Sequence, residues 1–333
     1  MNKIKVASYD FANDEIYQMI QESMPEEFEL VPLRTGTLEE KIKNAEDAEF
    51  FIAATGAIPA EVIRAGRKLR MIQQQGVGFD KTDVALATQL GIEVCITPEG
   101  TSVGVAEHVV LLILAVYKRL AFMDRKIREG EFPMWDYRTR CFEIFGKTVG
   151  FVGFGRIARE AAKRLQGFSP KILFYDEYVN MSEEEQAELN VKQVRTLDEL
   201  LEKSDIVSVH VPSNEKTRGM IGRDFFRKMK NSAIFINTAR GDLVVEQDFV
   251  EAIKNGVIAG AGIDVYPKEP LPPQNPYRDL PNTVLTPHIA AGTADALKTK
   301  IHYACANIQR FMRGEETLHS LNRDKIAEDV RRH

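Results

Sequence analysis

The first hundred residues alternate between two patterns of hydrophobic positions. Short apolar runs typical of buried strands occur at 3–9, 28–33, 49–54 and 70–75. Amphipathic stretches such as 14–24 and 37–46 lie between them, and their apolar residues recur with the period of a helix. Strands that alternate with helices in this way predict a parallel sheet covered by helices.

A longer helix is predicted over 101–128. It contains the run VAEHVVLLILAVYKRL, whose apolar residues surround nearly the whole helix. Because a helix that is apolar on all sides is usually buried, we expect this one to lie between two domains or against a second subunit.

The alternation of strands and helices restarts at Lys147. The predicted strands of this second block are 148–155, 171–176, 205–211, 233–239, 257–265 and 282–289. A closing helix is predicted over 293–314, and the polar tail after Leu321 is expected to be loosely held. Two alternating blocks joined by one buried helix predict an α/β fold of two doubly wound parallel-sheet, Rossmann-like lobes with a cleft between them.

Length, charge and cysteine content narrow the classes of protein that fit this pattern. A chain of 333 residues exceeds the usual size of one hydrophobic core, and a net charge of -5 offers no basic excess for nucleic acid. The three cysteines form no CxxC pair, which argues against a structural zinc site and for a reducing compartment. The amino terminus lacks an apolar core of signal-peptide length, and the longest apolar run, 109–116, is too short to span a bilayer. We therefore expect a cytoplasmic protein that binds no nucleic acid, membrane or metal.

The most specific local motif is a glycine-rich turn directly after the strand TVGFV. Gly153 permits a tight turn, Gly155 lets the backbone approach a pyrophosphate, and the small Ala158 lets the following helix pack closely on the strand. The next predicted strand ends in Asp176, 23 residues after Gly153, where a carboxylate can bind the ribose hydroxyls of a dinucleotide. Asp176 and the adjacent Glu177 would repel the 2′-phosphate of NADP. The motif therefore predicts NAD as the cofactor.

Unusual polar residues lie at the ends of three predicted strands. Arg240, Asp264 and His288 each follow a strand of the second block, and Glu269 lies in the proline-rich turn after Asp264. Ligands of open parallel sheets bind outside the carboxyl ends of the strands, so we expect these four side chains to converge.

Reduction of a 2-oxo acid needs this set of groups. The keto oxygen gains negative charge as hydride arrives, so a proton donor is required. Histidine beside a carboxylate suits that role, because its pKa of about 6.5 rises next to a negative charge. We predict His288 as the donor and Glu269 as its partner. Arginine binds a substrate carboxylate through paired hydrogen bonds and polarises the carbonyl, which fits Arg240. Alternatives are a surface ion pair for Arg240 and a solvated position for Glu269. His210, also at a strand end, is the rival to His288 and could equally be a cofactor contact or a packing residue.

Four motifs together resemble the D-isomer-specific 2-hydroxyacid dehydrogenases, over about Lys68 to Gly314. They are GKTVGFVGFGRIA, NTARG, DVYPKEP and LTPHIAAG. The resemblance implies that His288 is the general acid/base, that Glu269 pairs with it, and that Arg240 binds substrate.

The same resemblance implies further contacts and an assembly. Asp264 would hold the nicotinamide amide, and the amides of Val77 and Gly78 would bind the substrate carboxylate. The remaining NAD contacts would be Arg156, Ile157, Val211, Pro212, Thr217, Thr238 and Ala239. The substrate domain would be 1–100 completed by 290–333, the NAD domain would be 101–289, and the helix 101–128 would build a homodimer.

Departures from the family pattern bear on the substrate. Ala158 replaces the commoner third glycine. The loop 53–57 lacks the arginine–serine pair of similar phosphoglycerate dehydrogenases, and we expect no regulatory domain, so 3-phosphoglycerate is disfavoured. Glu269 disfavours formate, for which the family's formate branch has a glutamine. Two alternatives stay open: a corepressor-like protein that senses NAD, and a dehydrogenase of another small anion such as phosphite.

Overall fold

The computed structural model describes residues 3–54, 58–79, 81–328 and 330. The chain divides into two compact units. Unit 1 is Met1–Thr101 with Thr293–His333, and unit 2 is Ser102–Gly292. Within the described ranges, none of the helices has the length and apolar character that crossing a membrane requires.

Unit 1 contains a five-stranded parallel sheet. Its strands are β1 (Ile4–Ser8), β2 (Phe28–Val31), β3 (Phe50–Ala53), β4 (Met71–Gln74) and β5 (Glu93–Cys95), in the order β2-β1-β3-β4-β5. Its helices are α1 (Asp14–Ser23), α2 (Leu38–Asp47), α3 (Ala60–Ala65), α4 (Val84–Gln89) and α12 (Ala294–Met312). Side-chain caps start the first two helices, since Asn13 accepts from the Ile16 amide and Thr37 from the Glu40 amide. The doubly wound order confirms the predicted fold class for this lobe.

Unit 2 contains a seven-stranded parallel sheet. Its strands are β6 (Thr148–Val152), β7 (Lys171–Tyr175), β8 (Lys192–Gln193), β9 (Ile206–Val209), β10 (Ile234–Asn237), β11 (Gly260–Ile263) and β12 (Thr283–Leu285), in the order β12-β11-β10-β9-β6-β7-β8. Its helices are α5 (Ser102–Tyr117), α6 (Leu120–Arg128), α7 (Arg156–Leu165), α8 (Glu183–Glu188), α9 (Leu197–Lys203), α10 (Arg223–Lys228) and α11 (Glu246–Lys254). The order reverses between β6 and β9, and at such a switch point a doubly wound sheet binds its ligand.

The predicted single helix over 101–128 is wrong. The structure has two helices, because Arg119 adopts a left-handed conformation with φ of 51° and interrupts the hydrogen bonding after α5. The two helices also differ in burial. The apolar face of α5, including Val109 and Leu112, is buried within unit 2, whereas no residue of α6 is buried.

The prediction of a loosely held tail after Leu321 is wrong at Asn322. This side chain is 1% exposed. Its oxygen accepts a hydrogen bond from the Val94 amide at 2.8 Å, and its nitrogen donates to Thr88 and to the Ile92 carbonyl. Three hydrogen bonds inside the protein therefore fix the start of the tail to the edge of the unit 1 sheet.

Candidate active site

Three neighbouring strands of unit 2 end in the polar residues that the sequence singled out. Arg240 follows β10, Asp264 follows β11, and His288 follows β12. The strands are parallel and adjacent, so their carboxyl ends lie at one edge of the sheet. The sheet therefore brings the three segments to the same edge, as the sequence predicted.

His288 and Glu269 form a hydrogen-bonded pair. The His288 Nδ1 lies 3.0 Å from the Glu269 Oε2, and both side chains are partly exposed, at 28% and 20%. The carboxylate only accepts, so Nδ1 carries the hydrogen and Nε2 is the ring nitrogen left for another partner. The other carboxylate oxygen of Glu269 accepts from the Tyr266 amide at 3.1 Å. Glu269 is thereby fixed from its own loop while it orients the imidazole.

The backbone of His288 is held in an uncommon conformation by Asp264. His288 has φ of 53°, in the left-handed region, and its amide donates to the Asp264 carbonyl at 2.7 Å. The fully buried Asp264 carboxylate accepts from the Thr286 hydroxyl and from the amides of Ile289 and Ala290, at 2.6 to 3.0 Å. The segment 286–290 is thus wound around one buried carboxylate. Binding of the nicotinamide amide by Asp264 stays a prediction.

The loop that carries Arg240 packs against the loop that carries Glu269. Gly241 lies directly on the backbone of Tyr266 and Pro267, where a β-carbon would collide with main-chain atoms. The carbonyl of Arg240 accepts from the Asn237 side chain at 2.9 Å, which fixes the turn after β10. A glycine after the arginine therefore allows the two loops to approach closely.

The glycine-rich turn after β6 has the features that a dinucleotide site needs. Gly153 has φ of 87° and approaches the backbone of His210, so a side chain there would be strained and crowded. Gly155 precedes α7, and a β-carbon on it would meet no atom of the described residues within 4 Å. The Asp176 carboxylate, after β7, accepts from the Phe154 amide at 2.7 Å. The turn thus leaves open space in front of the amino terminus of α7, where phosphates bind in such folds.

The other predicted NAD contacts lie at the start of α7 and in the loops after β9 and β10. Arg156 and Ile157 form the first turn of α7, Val211 and Pro212 follow β9, and Thr238 and Ala239 follow β10. The Thr217 hydroxyl donates to the Pro212 carbonyl at 2.6 Å and so closes its own loop. The Thr238 hydroxyl is buried and has no hydrogen-bond partner among the described residues. An unpaired buried hydroxyl fits a site shaped for a polar cofactor.

The environment of His210 disfavours it as a proton donor. Burial lowers the pKa of His210 to about 3, and its Nε2 lies 2.8 Å from the Ser208 hydroxyl. The ring also packs against Phe151. A histidine with this pKa is neutral near pH 7, so it has no proton to give as an imidazolium.

Val77 and Gly78 lie in unit 1, in the loop after β4. The carbonyl of the preceding Gly76 accepts from the Thr97 amide at 3.0 Å. Asp80 and residues 55–57 of the predicted substrate loops lie outside the described residues. Substrate binding by the amides of Val77 and Gly78 stays a prediction.

Sequence reasoning missed the residues that support the pair of His288 and Glu269. Tyr266 donates through its hydroxyl to the Thr286 carbonyl at 2.9 Å, and burial raises the pKa of Tyr266 to about 12. His108 of α5 lies 2.9 Å from the Thr286 hydroxyl. The sequence offered one signal, a histidine inside a mostly apolar helix, but its partner is 178 residues away.

Comparison with known proteins shows which family this chain resembles in sequence and in fold. A profile of the D-isomer specific 2-hydroxyacid dehydrogenase, NAD binding domain, matches residues 110–290. The glyoxylate reductase of Thermofilum pendens is 42% identical over 280 residues, which cover 83% of this chain and 82% of that protein. The D-3-phosphoglycerate dehydrogenase of Archaeoglobus fulgidus is 41% identical over 269 residues, 80% of this chain but 50% of that protein. Among solved structures, the TT0316 protein from Thermus thermophilus has a TM-score of 0.84 at 30% identity, and the match covers 96% of this chain and 100% of that one.

A doubly wound nucleotide-binding sheet with a histidine–carboxylate pair at its strand ends is the architecture of a nicotinamide-dependent oxidoreductase. The chain belongs to the D-isomer specific 2-hydroxyacid dehydrogenase family. It is an NAD-dependent D-2-hydroxyacid dehydrogenase. The family, enzyme class and cofactor predicted from the sequence are confirmed.

Proposed function

We propose that the enzyme interconverts a small 2-oxo acid and its D-2-hydroxy acid, with His288 as general acid/base, Glu269 as its partner, and Arg240 on the substrate carboxylate. The observation that carries this proposal is the 3.0 Å contact between the His288 Nδ1 and the Glu269 Oε2 at the end of β12. It leaves the Nε2 of the same ring for the substrate. The packing of Gly241 on the Tyr266 backbone keeps the Arg240 loop beside this pair.

The proton and the charge of the reaction are accounted for by these side chains. In reduction, NADH supplies the hydride to the carbonyl carbon. The carbonyl oxygen gains a negative charge, and protonated His288 donates its Nε2 proton there. The ring then remains neutral with its hydrogen on Nδ1, still bonded to Glu269. In oxidation, the neutral Nε2 accepts the hydroxyl proton. Arg240 pairs with the substrate carboxylate and orients the reacting carbon.

The cofactor would be held by the turn after β6 and its neighbours. The amides at the start of α7 would face the pyrophosphate. Asp176 would bind the ribose hydroxyls, and Val211, Pro212, Thr217, Thr238 and Ala239 would line the rest of the site. Unit 2 is then the NAD domain, and unit 1, with Val77 and Gly78, supplies the substrate domain.

Glyoxylate is our first candidate substrate. The relative from Thermofilum pendens is named a glyoxylate reductase and matches this chain over most of both lengths. The phosphoglycerate dehydrogenase from Archaeoglobus fulgidus has a similar sequence identity to this chain, but the match spans only half the length of that protein. Hydroxypyruvate and pyruvate are the next members of the same chemical series.

We also propose a cytoplasmic homodimer. Large apolar side chains are exposed in the segment that follows α6, where Phe132 is 79%, Trp135 70% and Phe145 73% exposed. Exposed apolar side chains concentrated in one segment indicate an interaction surface. All three cysteines are free thiols, which is compatible with a reducing compartment.

A panel of substrates with NADH tests the function. We expect turnover with glyoxylate, hydroxypyruvate or pyruvate, and weaker or no turnover with 3-phosphohydroxypyruvate. In the reverse direction with NAD, formate and phosphite should give none. His288→Ala should lower kcat by about a hundredfold or more, because the donor acts in the transition state, while Arg240→Lys should mainly raise KM for the oxo acid. A His288→Ala enzyme with the wild-type kcat contradicts the assignment, and an enzyme inert toward every oxo acid contradicts the proposed substrate class.

A further inference from the structure

A chain of hydrogen bonds connects α5 to the segment that carries His288. The Nε2 of His108, on α5, lies 2.9 Å from the Thr286 hydroxyl oxygen. The same hydroxyl lies 2.6 Å from the Oδ1 of Asp264. The His108 Nε2 itself is 3.6 Å from that carboxylate oxygen. All of these residues belong to unit 2.

The chemistry of the groups fixes the direction of each hydrogen bond. Asp264 is a carboxylate in a fully buried position and accepts only. The Thr286 hydroxyl has one hydrogen, which it donates to Asp264, so it accepts from His108. The His108 Nε2 must then carry a hydrogen. Burial lowers the pKa of His108 although the Asp264 charge opposes this, so the ring is neutral with its hydrogen on Nε2.

The hydrogen bonds that Asp264 accepts determine the position and backbone conformation of His288. Its carboxylate also receives the amides of Ile289 and Ala290, and its carbonyl receives the amide of His288. These contacts hold His288 at its left-handed φ of 53°. A donor that fixes the Thr286 hydroxyl therefore restricts the whole segment, because Thr286 is its first residue.

We infer that His108 is a positioning residue for the reaction, acting through the Thr286 hydroxyl and Asp264 to hold the segment 286–290 in the conformation that presents His288. The inference rests on the proposed function, in which His288 is the general acid/base. His108 has no part in proton transfer itself. Its effect therefore belongs to the alignment of a group that acts in the transition state, and it should appear in kcat more than in KM.

The test compares a variant that removes the donor with one that replaces it. His108→Leu fills a similar space with an apolar side chain but lacks the N–H that donates to the Thr286 hydroxyl. His108→Gln supplies an amide N–H on a side chain of similar reach. With NADH and the preferred oxo acid, His108→Leu should lower kcat by about three- to tenfold with little change in either KM, as expected for the loss of one neutral hydrogen bond in the aligned state. His108→Gln should recover most of the wild-type kcat.

The route through Thr286 is tested by combining variants. Thr286→Val removes the hydroxyl, so adding His108→Leu to it should cause no further loss of kcat. Leu112→Ala is the matched control, because Leu112 is a buried residue of α5 that packs beside Gly262 of β11. It should lower thermal stability while the kcat of the folded enzyme stays near wild type.

The outcomes separate this inference from the proposed function. Two outcomes overturn the inference while the proposed function stands, provided that His288→Ala is inactive. In the first, His108→Leu has the wild-type kcat. In the second, the losses of kcat in His108→Leu and Thr286→Val multiply in the double variant. If His288→Ala turns over normally, the proposed function itself fails and the inference fails with it. If His108→Leu does not fold, Thr286→Val and Thr286→Ser test the inference instead. The serine hydroxyl keeps the hydrogen bonds to His108 and Asp264, so Thr286→Ser should have the wild-type kcat and Thr286→Val a lower one. Equal kcat values in the two variants overturn the inference.

Discussion

His288, the proposed general acid/base, has an unfavourable backbone conformation. A non-glycine residue in the left-handed region costs about 1–2 kcal/mol, and His288 has φ of 53°. The hydrogen bonds that its segment makes with Asp264 offset this cost. The same left-handed backbone conformation of His288 is strained and also turns its side chain toward Glu269.

The pairing of His288 with Glu269 predicts an effect on the reaction in the oxidising direction. There the neutral Nε2 would accept the hydroxyl proton, and the ring would become positively charged. Glu269→Gln keeps a hydrogen-bond acceptor for the His288 Nδ1 but removes the negative charge that stabilises the charged ring, so it should lower kcat by about tenfold or more. The measurement is kcat for 2-hydroxy-acid oxidation with NAD.

A matched control uses another glutamate of the same unit. Glu246→Gln changes a carboxylate that accepts from the Asn275 side chain, and it should leave kcat for oxidation unchanged. If Glu269→Gln oxidises the hydroxy acid with the wild-type kcat, Glu269 is not the charge partner of His288.

At the level of single residues, the sequence predicted the pairing of His288 with Glu269 but not the contacts that support this pair. His288 and Glu269 stand in short motifs whose order along the chain carries the information. Thr286 and Tyr266 stand in the same motifs, but their hydrogen bonds depend on how β11 and β12 lie side by side. Contacts between residues distant in sequence are set by tertiary packing, which hydrophobic periodicity does not encode.

At the level of elements, the turn between β6 and α7 depends on the strand beside it. One oxygen of Asp176 accepts from the Phe154 amide of the turn, and the other accepts from the amides of Tyr178 and Val179. The aspartate at the end of β7 therefore supports the turn through contacts within the protein. Its predicted contact with ribose would come in addition to this structural task.

This double task shapes the cofactor prediction for Asp176. Asp176→Ala should weaken NADH binding and improve NADPH relative to it, because a carboxylate accepts from ribose hydroxyls but repels a 2′-phosphate. Asp176→Asn keeps a hydrogen-bond acceptor for the Phe154 amide without the charge. It should therefore shift the preference while changing the stability of the turn less. The measurement is kcat/KM for both cofactors in the three enzymes. Equal values for NADH and NADPH in the wild type would contradict the charge argument.

Helices and strands were predicted well where their hydrophobic runs were long. They were predicted poorly where an element was very short or where the backbone conformation of one residue ended it. The two-residue β8 has too little sequence to show a period, and the predictions did not include it or β5. The interruption at Arg119 could not be predicted, because Lys118 and Arg119 are compatible with a continuing helix. The break is visible only as a left-handed φ.

At the level of the whole molecule, apolar surface is distributed unevenly in unit 2. Most apolar side chains of α5 are buried within the unit, and only Val103 and Leu111 of its large apolar residues are exposed. In contrast, α6 and the segment after it expose Leu120, Ile127, Phe132 and Trp135. The predicted homodimer was attributed to one long helix. The exposed residues instead favour α6 and its following segment as the contact surface.

The homodimer proposal predicts a change in mass when this surface is made charged. The wild type should have twice the mass of one chain in sedimentation equilibrium, because burying large aromatic side chains stabilises association. The double variant Phe132→Asp/Trp135→Asp should sediment as a single chain, since isolated carboxylates are costly to bury. Phe11→Asp is the matched control: Phe11 is also exposed but lies in unit 1, and this variant should keep the wild-type mass. A wild type that sediments as one chain, or a double variant that keeps twice that mass, would contradict the assignment of this surface.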